Sequence, residues 1–78
     1  MLVKFEFKDK YETVSTINNQ EIELSDAEVY ALFQSDEISY PVDFGGSNSV
    51  KFAKIEKSEF NMYRPNEKHL HVTLRELR

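Results

Sequence analysis

Apolar and polar residues alternate strictly at both ends of the chain. At the start, Val3, Phe5 and Phe7 share one face while Leu2, Lys4, Glu6 and Lys8 take the other, the period-two pattern of a half-buried strand. At the end, Leu70, Val72 and Leu74 alternate with His69, His71, Thr73 and Arg75 in the same way. Between them, Tyr11 to Ile17 is rich in β-branched and aromatic residues, and Asp9-Lys10 allows a tight reversal before it, so the first two strands are expected to form a hairpin. Asn18-Asn19-Gln20 reads as a turn, and Glu21 to Leu24 as a further short extended piece.

One helix start is marked twice. Ser25 and Glu28 have the spacing of a capping box, and Leu24 and Val29 that of a hydrophobic staple. With Val29 at the centre of the buried stripe, Leu32 and Phe33 join it, and Ala27, Ala31 and Gln34 point outward. A longer helix would turn Asp36 onto that stripe, so the helix is expected over 25–35. Ile38, Tyr40, Val42 and Phe44 then alternate with Ser39, Pro41 and Asp43; Pro41 lacks a ladder donor and points to an edge or a bulge. Gly45-Gly46-Ser47-Asn48 is a turn. Val50 to Ile55 resumes a strand whose parity changes between Phe52 and Ala53, as a bulge would produce. Phe60 and Met62 open another extended piece, turned at Arg64-Pro65-Asn66-Glu67.

These elements predict an α+β domain of order β-β-α-β-β-β-β: a small antiparallel β-meander sheet with a single helix packed on it, the whole of residues 1–78 forming one domain. The expected core is Val3, Phe5, Phe7, Val29, Leu32, Phe33, Val42, Phe44, Phe52, Leu70, Val72 and Leu74.

Composition narrows the function classes. A 78-residue chain has little room for a deep catalytic cleft. The absence of cysteine excludes disulfides, thiol chemistry and zinc-finger spacing, and fits a reducing compartment. Charges at every second residue near the N-terminus do not make a signal peptide, and no run reaches transmembrane length, so a cytoplasmic protein without membrane contact is expected. No cofactor is called for. His69 and His71 share a strand face, but nothing in the spacing supplies a third ligand, so no metal is expected. Gly45 to Ser49 precedes a strand rather than a helix and reads as a hairpin loop, not a phosphate cradle. No nucleophile elbow accompanies the serines, and a non-enzymatic protein is expected.

Charge is the informative feature. The net charge is −4, but from Tyr11 to Val50 there is no lysine or arginine, while Glu12, Glu21, Glu23, Asp26, Glu28, Asp36, Glu37 and Asp43 all lie there. Asp26 and Glu28 suit a helix N-terminus; Asp36 and Glu37, at the negative end of the helix dipole, gain nothing locally. A field of one sign favours docking on a surface of the other. The sequence therefore predicts a protein-binding or regulatory domain that engages a basic protein surface through Glu21, Glu23, Asp26, Glu28, Asp36, Glu37 and Asp43. The alternative is a single-stranded nucleic-acid binder using Lys51, Lys54, Lys57, Tyr63, Arg64, Lys68 and Arg75; glutamates interleaved with these bases and the overall acidity oppose it. Self-association is also expected, a homodimer through an uncapped C-terminal edge strand on which Leu77 breaks the alternation. In composition and layout the chain resembles the small acidic proteins of low-GC Gram-positive bacteria and their phages, some of which inhibit host enzymes or defence systems by binding them. That resemblance implies a phage or mobile-element inhibitor of a host protein and brings no residue roles with it.

Overall fold

Six elements form in a computed structural model that describes residues 1–11, 18–44, 47–64 and 66–77, with the backbone alone for Phe44, Ser47, Asn48, Tyr63 and Arg64. They are β1 (Leu2–Lys8), β2 (Gln20–Glu23), α1 (Asp26–Gln34), β3 (Ile38–Phe44), β4 (Ser47–Arg64) and β5 (Glu67–Glu76). The expected strand at Tyr11 to Ile17 and the turn at Gly45-Gly46 fall largely outside the described residues.

The strands make one sheet in the order β2-β1-β5-β4-β3. It is mixed, which corrects the antiparallel meander: β1 and β5 run parallel, with Val3 opposite Leu70, Phe5 opposite Val72 and Phe7 opposite Leu74. The two most strictly alternating strands thereby match their apolar rows at the centre of the sheet. Everything between them in sequence serves as the long crossover that a parallel pair needs. Chain order alone suggests neighbours along a meander; burial of the apolar rows decides otherwise. The same placement corrects the view of the last strand as an edge. Strand β5 is paired on both sides, and even the Leu77 N–H donates to the Phe52 carbonyl at 2.9 Å.

Strand β4 also differs from expectation, since two predicted strands are one 18-residue strand. The polar run Lys57-Ser58-Glu59 reads as a break in sequence, yet it continues the ladder with β5. Residues 47–53 of β4 pair with β3, and residues 53–64 pair with β5. Ala53 belongs to both ladders, and the register shifts just beyond it, between Ile55 and Lys57, rather than between Phe52 and Ala53. This bulge bends β4 and folds the β3 end of the sheet over the face of β1. The Tyr40 ring consequently stacks on Phe7, with centroids 5.4 Å apart and planes within 3°, and tilts against Phe5 at 5.8 Å. Two strands, β5 and β4, lie between β1 and β3 in the sheet, so these contacts require it to curl into a half-barrel.

Val3, Phe5, Phe7, Tyr40, Val42, Ala53, Val72 and Leu74 form the buried core. Val29, Leu32 and Leu70 pack against it half-buried. Phe33 and Phe52, expected inside, are 41% and 47% exposed. The rings of Phe5, Phe7 and Tyr40 fill the interior near the bend, which leaves the inward place on β4 to the methyl of Ala53 and sends Phe52 outward. Helix α1 lies shallowly, with no fully buried residue, so only Val29 and Leu32 of its predicted stripe reach the core. Phe44, also expected in the core, has no described side chain.

Candidate functional site

The two borders of the half-barrel, β2 and β3, leave a seam that α1 and Asn18 span. Asn18 is buried: its carbonyl accepts from the Tyr40 hydroxyl, and its Oδ1 accepts from the Asp43 N–H at 2.8 Å. Burial pushes the Tyr40 phenol up to about 12. At the other end, α1 begins with both bonds of the predicted capping box: Glu28 N–H donates to Ser25 Oγ at 3.2 Å, and Ser25 N–H donates to Glu28 Oε1 at 2.8 Å. The bond from the Ser25 backbone holds the Glu28 carboxyl below its usual range, so it is charged at neutral pH.

Between these ties lies a groove of about 430 Å³. Ile22, Leu24, Leu32 and Ile38 give it an apolar floor, and Glu28 and Glu37 are the charged residues that line it; no lysine or arginine does, among the described residues. Asp36 is exposed beside Glu37, and Asp26 is exposed in the first helical turn. The other predicted acidic residues are placed elsewhere. Glu21 and Glu23 share the outer face of β2, where Glu21 meets the Lys4 ammonium at 3.4 Å and Glu23 the N-terminal ammonium at 2.7 Å. Asp43 is half-buried on β3 beside the Asn18 tie. The structure thus gathers Glu28, Asp36 and Glu37 at the seam and leaves Glu21 and Glu23 in local ion pairs. The apolar floor was missed from sequence because Ile22, Leu24 and Ile38 come from separate strands and loops.

The opposite face of the sheet carries a second depression, about 570 Å³, lined by Glu6, Lys8, Glu56, Lys57, Glu59 and His71 among others. Both signs of charge alternate there. Glu56 sits between Lys8, at 3.0 Å, and Arg75, at 3.5 Å, and the Lys8 bond holds its carboxyl below the usual range. His71 faces Glu6 at 3.3 Å, and His69 faces the Asn61 amide at 3.2 Å. No group of three potential metal ligands occurs among the described residues. A field of mixed sign steers nothing strongly.

The residues of the nucleic-acid alternative do not share one surface. Lys54, Lys57 and Arg75 stand on this outer face among Glu6, Glu56 and Glu59, whereas Lys51 pairs across from Tyr40 on the inner one. Lys68 is exposed opposite Met62 at the far end of the ladder, and the Tyr63 and Arg64 side chains lie outside the described set. No described helix is long and apolar enough to cross a membrane. No family model, no curated protein and no solved structure matches the chain, so the function of the seam is read from its own chemistry.

Proposed function

We propose that this chain is a non-enzymatic binding protein of the cytoplasm that seats a basic protein segment on the seam between β2, α1 and β3. One observation carries the reading: an apolar groove whose charged lining, among the described residues, is acidic, Glu28 and Glu37, with Asp36 beside it. An apolar floor supplies area and the carboxylates select lysine or arginine, so a segment with both apolar and basic side chains is complementary to it. A fixed field of one sign also accelerates the encounter and disfavours acidic competitors. A protein of this kind acts by occupying a basic surface of its partner, as an inhibitor or regulator does. The lack of cysteine is compatible with the reducing cytoplasm.

The test is affinity capture from the producing cell with the parent chain and with the variant Asp36→Lys/Glu37→Lys, followed by the salt dependence of the captured complex. A basic partner that the parent retains and the variant loses is the expected result. Equal retention by both would refute the role of the seam. Preferential retention of single-stranded nucleic acid by both would favour the alternative instead.

A further inference from the structure

The sheet has another border, and it is not acidic. Strand β3 pairs with β4 only as far as Ile38 opposite Ala53, while β4 runs on to Arg64. From Lys54 onward β4 has β5 on one side and no described strand on the other. Which groups face that open side follows from the ladder. The Leu77 N–H points at β4, so by alternation Thr73, His71 and His69 point there too, and their partners Lys57, Glu59 and Asn61 turn their backbones toward β5. Ser58, Phe60 and Met62 therefore direct N–H and C=O outward. Phe60 and Met62 are also exposed, at 47% and 64%. An edge of this length that no described strand covers, with large apolar side chains and no proline, is a template for another strand.

We propose that the occupant is a second copy of the same edge, paired antiparallel about a two-fold axis at Ser58. The charges argue for self-pairing. Lys57 and Glu59 flank Ser58, both exposed, and neither has an ion-pair partner among the described residues. With Ser58 opposite Ser58 of the second copy, each Lys57 lies directly across from a Glu59, twice by symmetry. In this register Phe60 of each copy lies across from Glu56 of the other, at the bulge next to Ile55. A register displaced so that Glu59 faces Glu59 sets like charges together, which selects against it. The dimer joins two five-stranded sheets edge to edge and leaves the seam of each copy facing solvent, so it is independent of the docking reading.

Sedimentation and light scattering of the parent chain at tens to hundreds of micromolar test the proposal, together with amide exchange by NMR. The parent is expected to dimerise, with exchange at Ser58, Phe60 and Met62 slowing as concentration rises. Lys57→Glu turns both cross-copy pairs into repulsions and is expected to weaken the dimer about tenfold or more. The swap Lys57→Glu/Glu59→Lys restores complementarity and is expected to recover most of the loss. A parent that stays monomeric throughout overturns the proposal, as does a swap variant as weak as the single variant. A dimer that protects the β2 amides instead of those of β4 also overturns it.

Discussion

The seam and the β4 edge are both places where the sheet stops, and they are finished in different ways. At the seam, β3 offers little to an added strand: Pro41 has no N–H, and that of Asp43 is taken by Asn18 Oδ1. Strand β2 is only four residues long, and α1 lies across the gap. What remains there is an apolar groove with charges of one sign. At the β4 edge no described strand pairs with the backbone over several residues, the adjacent charges are of both signs, and they are arranged symmetrically around Ser58. Single-sign charge cannot complement itself, so the seam calls for a different molecule; the two-sign edge complements a copy of itself. On the two proposals, the two borders of one sheet take two kinds of partner.

The comparison breaks first where both borders share a foundation. Phe7→Ala empties the interior that Tyr40 closes over and is expected to cost about 3–5 kcal/mol by urea denaturation, abolishing both surfaces. Leu32→Ala, half-buried beneath the groove, is expected at the low end of the usual range, about 2 kcal/mol, and to alter the seam without touching the β4 edge. Asn18→Ala sharpens the distinction further. It strips the Asp43 N–H of its partner inside the fold, with an expected loss of about 1–2 kcal/mol and faster amide exchange at Asp43 while Ser58, Phe60 and Met62 are unaffected. Ser25→Ala removes one bond of the capping box and is expected to cost about 1 kcal/mol, read as a lowered midpoint with an unchanged dimer.

Alkaline pH acts on the same closure through Tyr40. Its phenol titrates at an ordinary 10.0 when unfolded and about 12 in the fold, so the neutral form is favoured by folding. The associated stability is present below pH 10 and is lost as pH rises toward 12. Denaturation midpoints that stay flat over this range would place the Tyr40 hydroxyl in water.

Local signals in the sequence were legible where one residue's neighbours decide its state. The capping box at Ser25 and Glu28, the alternation at Val3 to Phe7 and at Leu70 to Leu74, and the edge position of β3 signalled by Pro41 all appear as read. What failed depended on partners far along the chain. The parallel pairing of β1 with β5 follows from matching two apolar rows in space, and no turn signal encodes it. The exposure of Phe52 and the burial of Ala53 follow from rings that β1 and β3 bring to the bend. Of the seven acidic residues read together, the closeness of Glu28, Asp36 and Glu37 was legible, as one helix and its exit, but their separation from Glu21, Glu23 and Asp43 was not. The ion pairs of Glu21 with Lys4 and of Glu23 with the N-terminus were not, since they arise from β2 lying beside β1.

The central claim is that the seam binds apolar segments carrying positive charge. Its most direct test is an NMR titration of the labelled protein with a short peptide alternating lysine and valine, against one alternating glutamate and valine, at low salt. Shifts confined to Ile22, Ala31, Leu32 and Ser35 to Tyr40, seen with the lysine peptide and suppressed by Asp36→Lys/Glu37→Lys, are the predicted result. Equal shifts from both peptides, or shifts spread over the outer face around Glu6, Glu56 and Glu59, would contradict it.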